Sequence, residues 1–310
     1  MSVYHPDLRG GRFMPSIPAW LPILRLMRVE PRPKPAPADV LIEDVEVPGT
    51  DGGPAVRLRV YRPAGATAAD APIPALLWTH GGGYLIGSPL QDEASSLAFV
   101  RKLGIVVVAP KYRLAPEHPS PAAVEDAYAA LEWLFAHAGE LGVDAERIAV
   151  GGASAGGGLA ASLALYAHDR GVVRPAFQLL VYPMLDDRTV LRTDLDTRHV
   201  RVWGRAQNRL GWASYLGAEP GSPDVSPYAA PARREDLRGL PPAWIGVGSL
   251  DLFHDEDVEY ARRLREAGVA CDFHVVDGAF HGFDAVYRNA GVSRSFHDEQ
   301  TRALRTALAC

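Results

Sequence analysis

Cysteine is nearly absent: Cys271 and Cys310 are the only two in 310 residues. Two thiols cannot build the disulfide framework of a small secreted domain, and no CxxC or Cys/His spacing suggests zinc, so both are expected to be free. Long apolar runs are missing too. No stretch approaches the roughly 20 continuous apolar residues of a membrane helix. The apolar segment from Ile17 to Met27 is broken by Pro18, Pro22 and Arg25, and no small-residue cleavage site follows it. A signal peptide is therefore not expected, and the expected location is cytoplasmic, away from membranes. An excess of basic charge is also lacking, since 32 Lys and Arg face 37 Asp and Glu for a net charge of −5. Nucleic acid is thereby disfavoured as a partner, and a neutral or mildly polar small molecule fits better. No internal repeat or low-complexity tract is visible.

What is present is an ordinary globular composition, 47% apolar and 22% charged. A chain of this length can form one α/β domain. Trp20, Ile23, Leu24 and Met27 recur at helical spacing, which predicts a helical arm in the first thirty residues. Pro31, Pro33, Pro35 and Pro37 then predict a stiff connector. Two β-branched runs, Val40 to Val47 and Val56 to Tyr61, flank a Gly49-Thr50-Asp51-Gly52-Gly53 turn and read as an antiparallel hairpin.

Beyond the hairpin, short apolar runs alternate with amphipathic segments. The runs are Ala75 to Trp78, Ile105 to Ala109, Arg147 to Val150, Phe177 to Tyr182, Ala243 to Val247 and Asp272 to Val276. The predicted helices are Glu93 to Leu103, Ala122 to Ala136, Gly157 to His168, Asp255 to Ala267 and Val292 to Leu308. Such alternation predicts an α/β fold, a mostly parallel sheet of about eight strands with helices on both faces. One interval, from Asp186 to about Pro223, breaks the rhythm and carries Trp203, Trp212 and Tyr215. It reads as a helical insertion over the C-terminal edge of the sheet, where open α/β sheets bind ligands.

Gly152-Ala153-Ser154-Ala155-Gly156 matches the G-x-S-x-G nucleophile pattern. The pentapeptide is a weak signal alone, but it follows a strand and opens a helix, the setting that the pattern requires. A sharp turn would raise the Ser154 hydroxyl from the sheet edge, while Gly152 and Gly156, lacking Cβ, let strand and helix approach. The competing reading is a glycine-rich turn with an N-cap serine. His80-Gly81-Gly82-Gly83 follows another strand. Acyl transfer needs preorganised N–H donors for an oxyanion, and Gly82, Gly83 and Ala155 are the candidates. His80 itself is expected to brace that loop.

Chain order in this fold runs serine, acid, histidine. Of the histidines after Ser154, His281 lies in a loop directly after the last strand. His254 remains an alternative where a helix begins. Asp251, directly after a strand, is the candidate acid and Asp255 the fallback. Asp255, Glu256 and Asp257 together read as the acidic start of a helix.

Together these motifs resemble the hormone-sensitive-lipase family of esterases, α/β-hydrolases of the bacterial branch in particular. The resemblance runs from about residue 40 to the end. It rests on His80-Gly81-Gly82-Gly83-Tyr84, Tyr112-Arg113-Leu114-Ala115-Pro116-Glu117-His118-Pro119, Gly152 to Gly157, Asp251-Leu252-Phe253-His254-Asp255-Glu256 and His281-Gly282-Phe283. It implies a triad of Ser154, Asp251 and His281, with an oxyanion hole of Gly82, Gly83 and Ala155. It also implies a cap made from residues 1–40 and 186–222 over a catalytic domain of residues 41–185 and 223–310. A homodimer through the strand from Asp272 to Val276 is a further implication. Two departures stand out: Ala153 where Asp or Thr is frequent, and Leu252-Phe253-His254 where Pro-Leu-Arg is usual.

The expected activity is hydrolysis of short- to medium-chain carboxylic esters through an acyl-enzyme, with no metal or cofactor. Trp20, Tyr84, Trp203, Trp212 and Tyr215 are candidates for an apolar substrate pocket under the cap, with packing of the cap's own core as the competing reading. Because the base must be neutral, activity is expected to rise through the pH range where histidines lose their proton. Amide, lactone or carbamate hydrolysis on the same residues is an alternative. A non-catalytic receptor is another, although receptors resembling this family lack the histidine found here as His281.

Overall fold

The structure is a computed structural model that describes residues 3–30, 35–65 and 71–310. Pro31 and Pro33 of the proline connector lie outside the described residues. Eight strands form one sheet: β1 (Val40–Val47), β2 (Val56–Pro63), β3 (Ile73–Thr79), β4 (Val106–Lys111), β5 (Val143–Ala153), β6 (Phe177–Val181), β7 (Ala243–Gly248) and β8 (Cys271–Val276). Their order is β1-β2-β4-β3-β5-β6-β7-β8. The hairpin β1–β2 is antiparallel, and β2 also meets β4 antiparallel, whereas β4 through β8 pair in parallel.

Alternation along the strands divides the core. In β3, Leu77 faces one side of the sheet with Val106 and Val108 of β4. Leu76 and Trp78 face the other side with Val107 and Ala109. The first face is covered by α3 (Ala122–Ala136) and α5 (Ala155–Arg170), the second by α2 (Glu93–Leu103) and α9 (Gly291–Leu308). Both faces are covered, so the central strands are apolar throughout, as parallel strands must be. The remaining helices are α1 (Leu21–Leu26), α4 (Ala138–Leu141), α6 (Arg205–Leu216), α7 (His254–Glu266) and α8 (Phe283–Val286). None among the described residues is long and apolar enough to cross a membrane.

The arm and the insertion hold each other. Ser16 bridges Val202, the Ile17 N–H donates to the Val202 carbonyl at 2.8 Å, and the Gln207 amide bonds the Ile17 carbonyl. The arm departs from the helical expectation: a 3₁₀ segment, Pro6–Phe13, precedes the six-residue α1. Pro15, Pro18 and Pro22 fix φ and remove N–H donors, which breaks a continuous helix there. Both cysteines are free; burial pushes the Cys271 thiol up to about 12.

Candidate active site

Ser154 stands between β5 and α5 at φ 60 and ψ −122, in left-handed backbone that a side chain rarely adopts. The surroundings enforce this strain. Its N–H donates to the Val181 carbonyl at 2.9 Å, and its own carbonyl accepts from Met184 and Gly158 at 3.0 Å each. The two glycines of the pentapeptide are required by close approach. A Cβ on Gly156 would lie 2.1 Å from the Thr79 carbonyl oxygen, and one on Gly152 would lie 2.4 Å from that of Gly156. The Thr79 hydroxyl fastens the same junction, donating to the Gly156 carbonyl at 2.7 Å.

Ser154 Oγ lies 2.8 Å from His281 Nε2, and His281 Nδ1 lies 2.8 Å from Asp251 Oδ2. His281 comes from the loop after β8 and Asp251 from the loop after β7, so the carboxyl ends of three parallel strands converge. All three side chains are buried, and the Phe253 N–H occupies the other Asp251 oxygen at 3.0 Å. The imidazole is gripped on two sides. Tyr182 meets it edge-on with centroids 4.9 Å apart, and Phe253 meets it at 5.1 Å and 90°. The fallback residues go elsewhere: His254 pairs with Asp255 at 3.0 Å, and Asp255 pairs with Arg192 at 3.1 Å, both partly in solvent.

Gly81 lies against the nucleophile, since a Cβ there would sit 3.5 Å from Ser154 Cβ. The Asp92 carboxylate, which accepts from Trp78 Nε1 at 3.0 Å, stands near its N–H, which helps to lower that carboxyl. The N–H groups of Gly82 and Gly83, by contrast, have no acceptor among the described residues. Ala155 is the first residue of α5, where the helix itself offers its N–H no partner. His80 braces the loop as expected. It is buried, its Nδ1 is 2.9 Å from the Gly81 carbonyl, its ring stacks on Tyr112 at 4.2 Å, and burial lowers it to about 4. The Tyr112 hydroxyl donates to the His80 carbonyl at 2.7 Å, which gives the Tyr112–Pro119 motif its place beside the oxyanion loop.

The five aromatic pocket candidates separate. Trp203 reaches the loop: a Cβ on Gly83 would fall 2.0 Å from its Cη2. Tyr84, Trp212 and Tyr215 form a buried cluster, with Tyr84 and Tyr215 stacked at 3.7 Å and 3°. Each is at most 1% exposed, so the three pack against one another inside the core and present no ring surface to a ligand. Trp20 is 59% exposed at the start of α1 and is not brought to the triad. Of the two residues that hold His281, Tyr182 was not singled out in the sequence, and Phe253 was noted only within the departure Leu252-Phe253-His254, not as a support for the histidine. The positions directly after β6 and two past Asp251 were the available signal.

The acidic start of α7 also differs from expectation. Glu256 is buried and accepts the Leu185 and Asp186 N–H groups at 2.7 and 3.2 Å, anchoring the entry to the insertion. Asp257 is fully buried, and neither of its oxygens has a partner among the described residues. Burial pushes its carboxyl well up, with Glu256 and Asp251 adding to the effect. No three His, Cys, Asp or Glu side chains gather as a metal site among the described residues.

Comparison with known proteins identifies the family of the chain. Residues 76–285 match a family described as having the alpha/beta hydrolase fold. The carboxylic ester hydrolase LipN of Mycobacterium tuberculosis is 37% identical over 86% of this chain and 71% of its own. An ethyl acetate hydrolase of Pseudomonas putida is 34% identical over 78% of this chain and 75% of its own. Among solved structures, a bacterial heroin esterase superposes with a TM-score of 0.88 at 40% identity, covering 99% of this chain and 98% of that one.

Proposed function

The chain belongs to the α/β-hydrolase fold family, and from that membership we infer a serine carboxylesterase whose nucleophile is Ser154. The observation that carries the assignment of residues is the unbroken line from Ser154 Oγ through His281 to Asp251, with both links at 2.8 Å.

In the proposed mechanism His281 Nε2 takes the Ser154 proton as Oγ attacks the ester carbonyl. Asp251 holds the ring and stabilises the imidazolium. The carbonyl oxygen gains its charge facing the N–H groups of Gly82, Gly83 and Ala155. Collapse expels the alcohol, protonated by His281, and leaves an acyl group on Ser154. Water activated by the same histidine then releases the acid.

Small esters are the substrates, and we propose short acyl chains as the preferred ones. The support is Trp203, which closes over Gly83 beside the nucleophile. The ethyl acetate hydrolase among the relatives fits that preference. Residues 1–40 and 186–222 serve as the cap in this proposal. A homodimer would pair two β8 strands, which lie at the sheet edge.

Hydrolysis of p-nitrophenyl esters from acetate to palmitate, with wild type and Ser154→Ala side by side, tests the reading. Turnover that peaks at short chains and is lost in the variant is expected. A folded wild type inert on every ester would overturn it.

A further inference from the structure

Arg28, two residues past the end of α1, reaches from the arm to the loop that follows β3. Its Nε donates to the Leu85 carbonyl at 2.7 Å. One terminal nitrogen donates to the Ala115 carbonyl, and the other to the Glu117 carboxylate at 2.8 Å. Leu85 and Ala115 are each 1% exposed, and no other group among the described residues donates to either carbonyl. A planar guanidinium matches this spread of three acceptors, whereas a lysine ammonium is a point charge that does not span them. Arg25 shares Glu117 at 3.0 Å but bonds neither carbonyl.

The two carbonyls frame the turn that carries the proposed oxyanion donors. The Ala115 N–H donates to the Tyr84 carbonyl at 2.9 Å, so Arg28 and Ala115 together hold the peptides on either side of Leu85. The N–H groups of those same two peptides, on Leu85 and Ile86, both donate to the Gly82 carbonyl, at 3.0 and 3.1 Å. That carbonyl shares a planar trans peptide with the Gly83 N–H and points the opposite way. Whatever aims the carbonyl therefore aims the donor. Gly82 and Gly83, at φ 124 and 62, leave the turn free to reorient unless it is braced from outside.

We propose that Arg28 is a positioning residue, which aims the Gly83 N–H at the developing oxyanion and so couples the arm to the chemical step. The inference rests on the reading of Ser154 as an esterase nucleophile with Gly83 as an oxyanion donor. Without the guanidinium, two buried carbonyls lose their donor, and the turn must shift to recover one from water. The oxyanion carries its charge only during the reaction, so a misaimed donor slows turnover and leaves substrate binding nearly unchanged.

Steady-state hydrolysis of p-nitrophenyl acetate by wild type, Arg28→Met, Arg28→Lys and Glu117→Gln is the test, with a thermal melt of each. Arg28→Met is expected to lower kcat and kcat/KM together by about 10- to 100-fold, the cost of a misaimed donor and less than that of a deleted one. Arg28→Lys should recover little of this, because one ammonium cannot serve both carbonyls. Glu117→Gln breaks the ion pairs of the arm but leaves both carbonyls held, so its kcat should stay within about twofold of wild type. Wild-type kcat in Arg28→Met, a rise in KM alone, or an equal loss in Glu117→Gln would overturn the proposal. Hydrogen exchange reads the brace without turnover. In Arg28→Met it should quicken over residues 80–88 while the sheet stays protected, and a loop that exchanges as in wild type would also overturn the proposal. A wild type inert on the ester would instead strike the esterase reading, which the exchange result does not depend on.

Discussion

The indole of Trp203 lies so close over Gly83 that a Cβ on the glycine would fall 2.0 Å from Trp203 Cη2. This contact joins the insertion to the loop assigned to the oxyanion. Gly83 is also at φ 62, so any side chain there meets both backbone strain and the ring. Gly83→Ala should lower kcat on p-nitrophenyl acetate about 10²- to 10³-fold, the usual effect of losing an oxyanion donor. Trp203→Ala should act differently, shifting the best acyl length upward. A Gly83→Ala enzyme with wild-type kcat would remove this residue from the oxyanion hole.

The line from Ser154 to Asp251 predicts two unequal losses. Ser154→Ala should abolish covalent labelling by a serine-directed phosphonate. Asp251→Asn should keep a nucleophile but misorient His281, cutting kcat by about 10³- to 10⁴-fold if it behaves as other triads do. Labelling that persists in Ser154→Ala would place the nucleophile elsewhere.

His80 supplies a pH signature outside the triad. Burial lowers it from 6.5 to about 4 in the folded protein. The unfolded chain therefore takes up a proton, as pH falls through this interval, that the folded protein refuses. Stability contributed by neutral His80 is complete above the unfolded value and is lost towards pH 4, to the extent of about 3 kcal/mol. Urea unfolding of wild type and His80→Gln at pH 7 and pH 4.5 should show their difference shrinking with acidity. A difference that does not vary with pH would mean that His80 is not held neutral by burial.

The sequence made the framework legible where local and tertiary demands coincide. Two helices, Glu93–Leu103 and Ala122–Ala136, have the expected ends, the first of them stopped by Gly104 in left-handed backbone. The residues that the structure brings together as Ser154, Asp251 and His281 were legible because each follows a strand at the same sheet edge. Contacts between distant segments were not. Trp203 meets a loop some 120 residues earlier in the chain, and nothing local distinguishes it from Trp212, which packs inward. The acidic run at α7 was read through the helix dipole, which concerns solvent-facing charge. Only the fold reveals that Glu256 and Asp257 turn inward.

Asp257 gives the sharpest consequence of that inward turn. Burial, together with the nearby Glu256 and Asp251, pushes this carboxyl well above the ordinary 3.8, and neither of its oxygens has a partner among the described residues. The unfolded chain ionises it freely, so its cost to folding grows as pH rises above the unfolded value towards the folded one. Asp257→Asn is close in shape and cannot ionise, so it should raise Tm, with a gain larger at pH 8 than at pH 5. Asp257→Ala removes the unsatisfied group altogether, a group whose burial costs about 1–3 kcal/mol, but leaves a small void. Calorimetric melting of the three proteins at both pH values decides the matter. Should Asp257→Asn melt lower than wild type at pH 8, Asp257 would be charged and paired in the folded protein, and its inward position would be a support for Asp251 instead of a burden beside it.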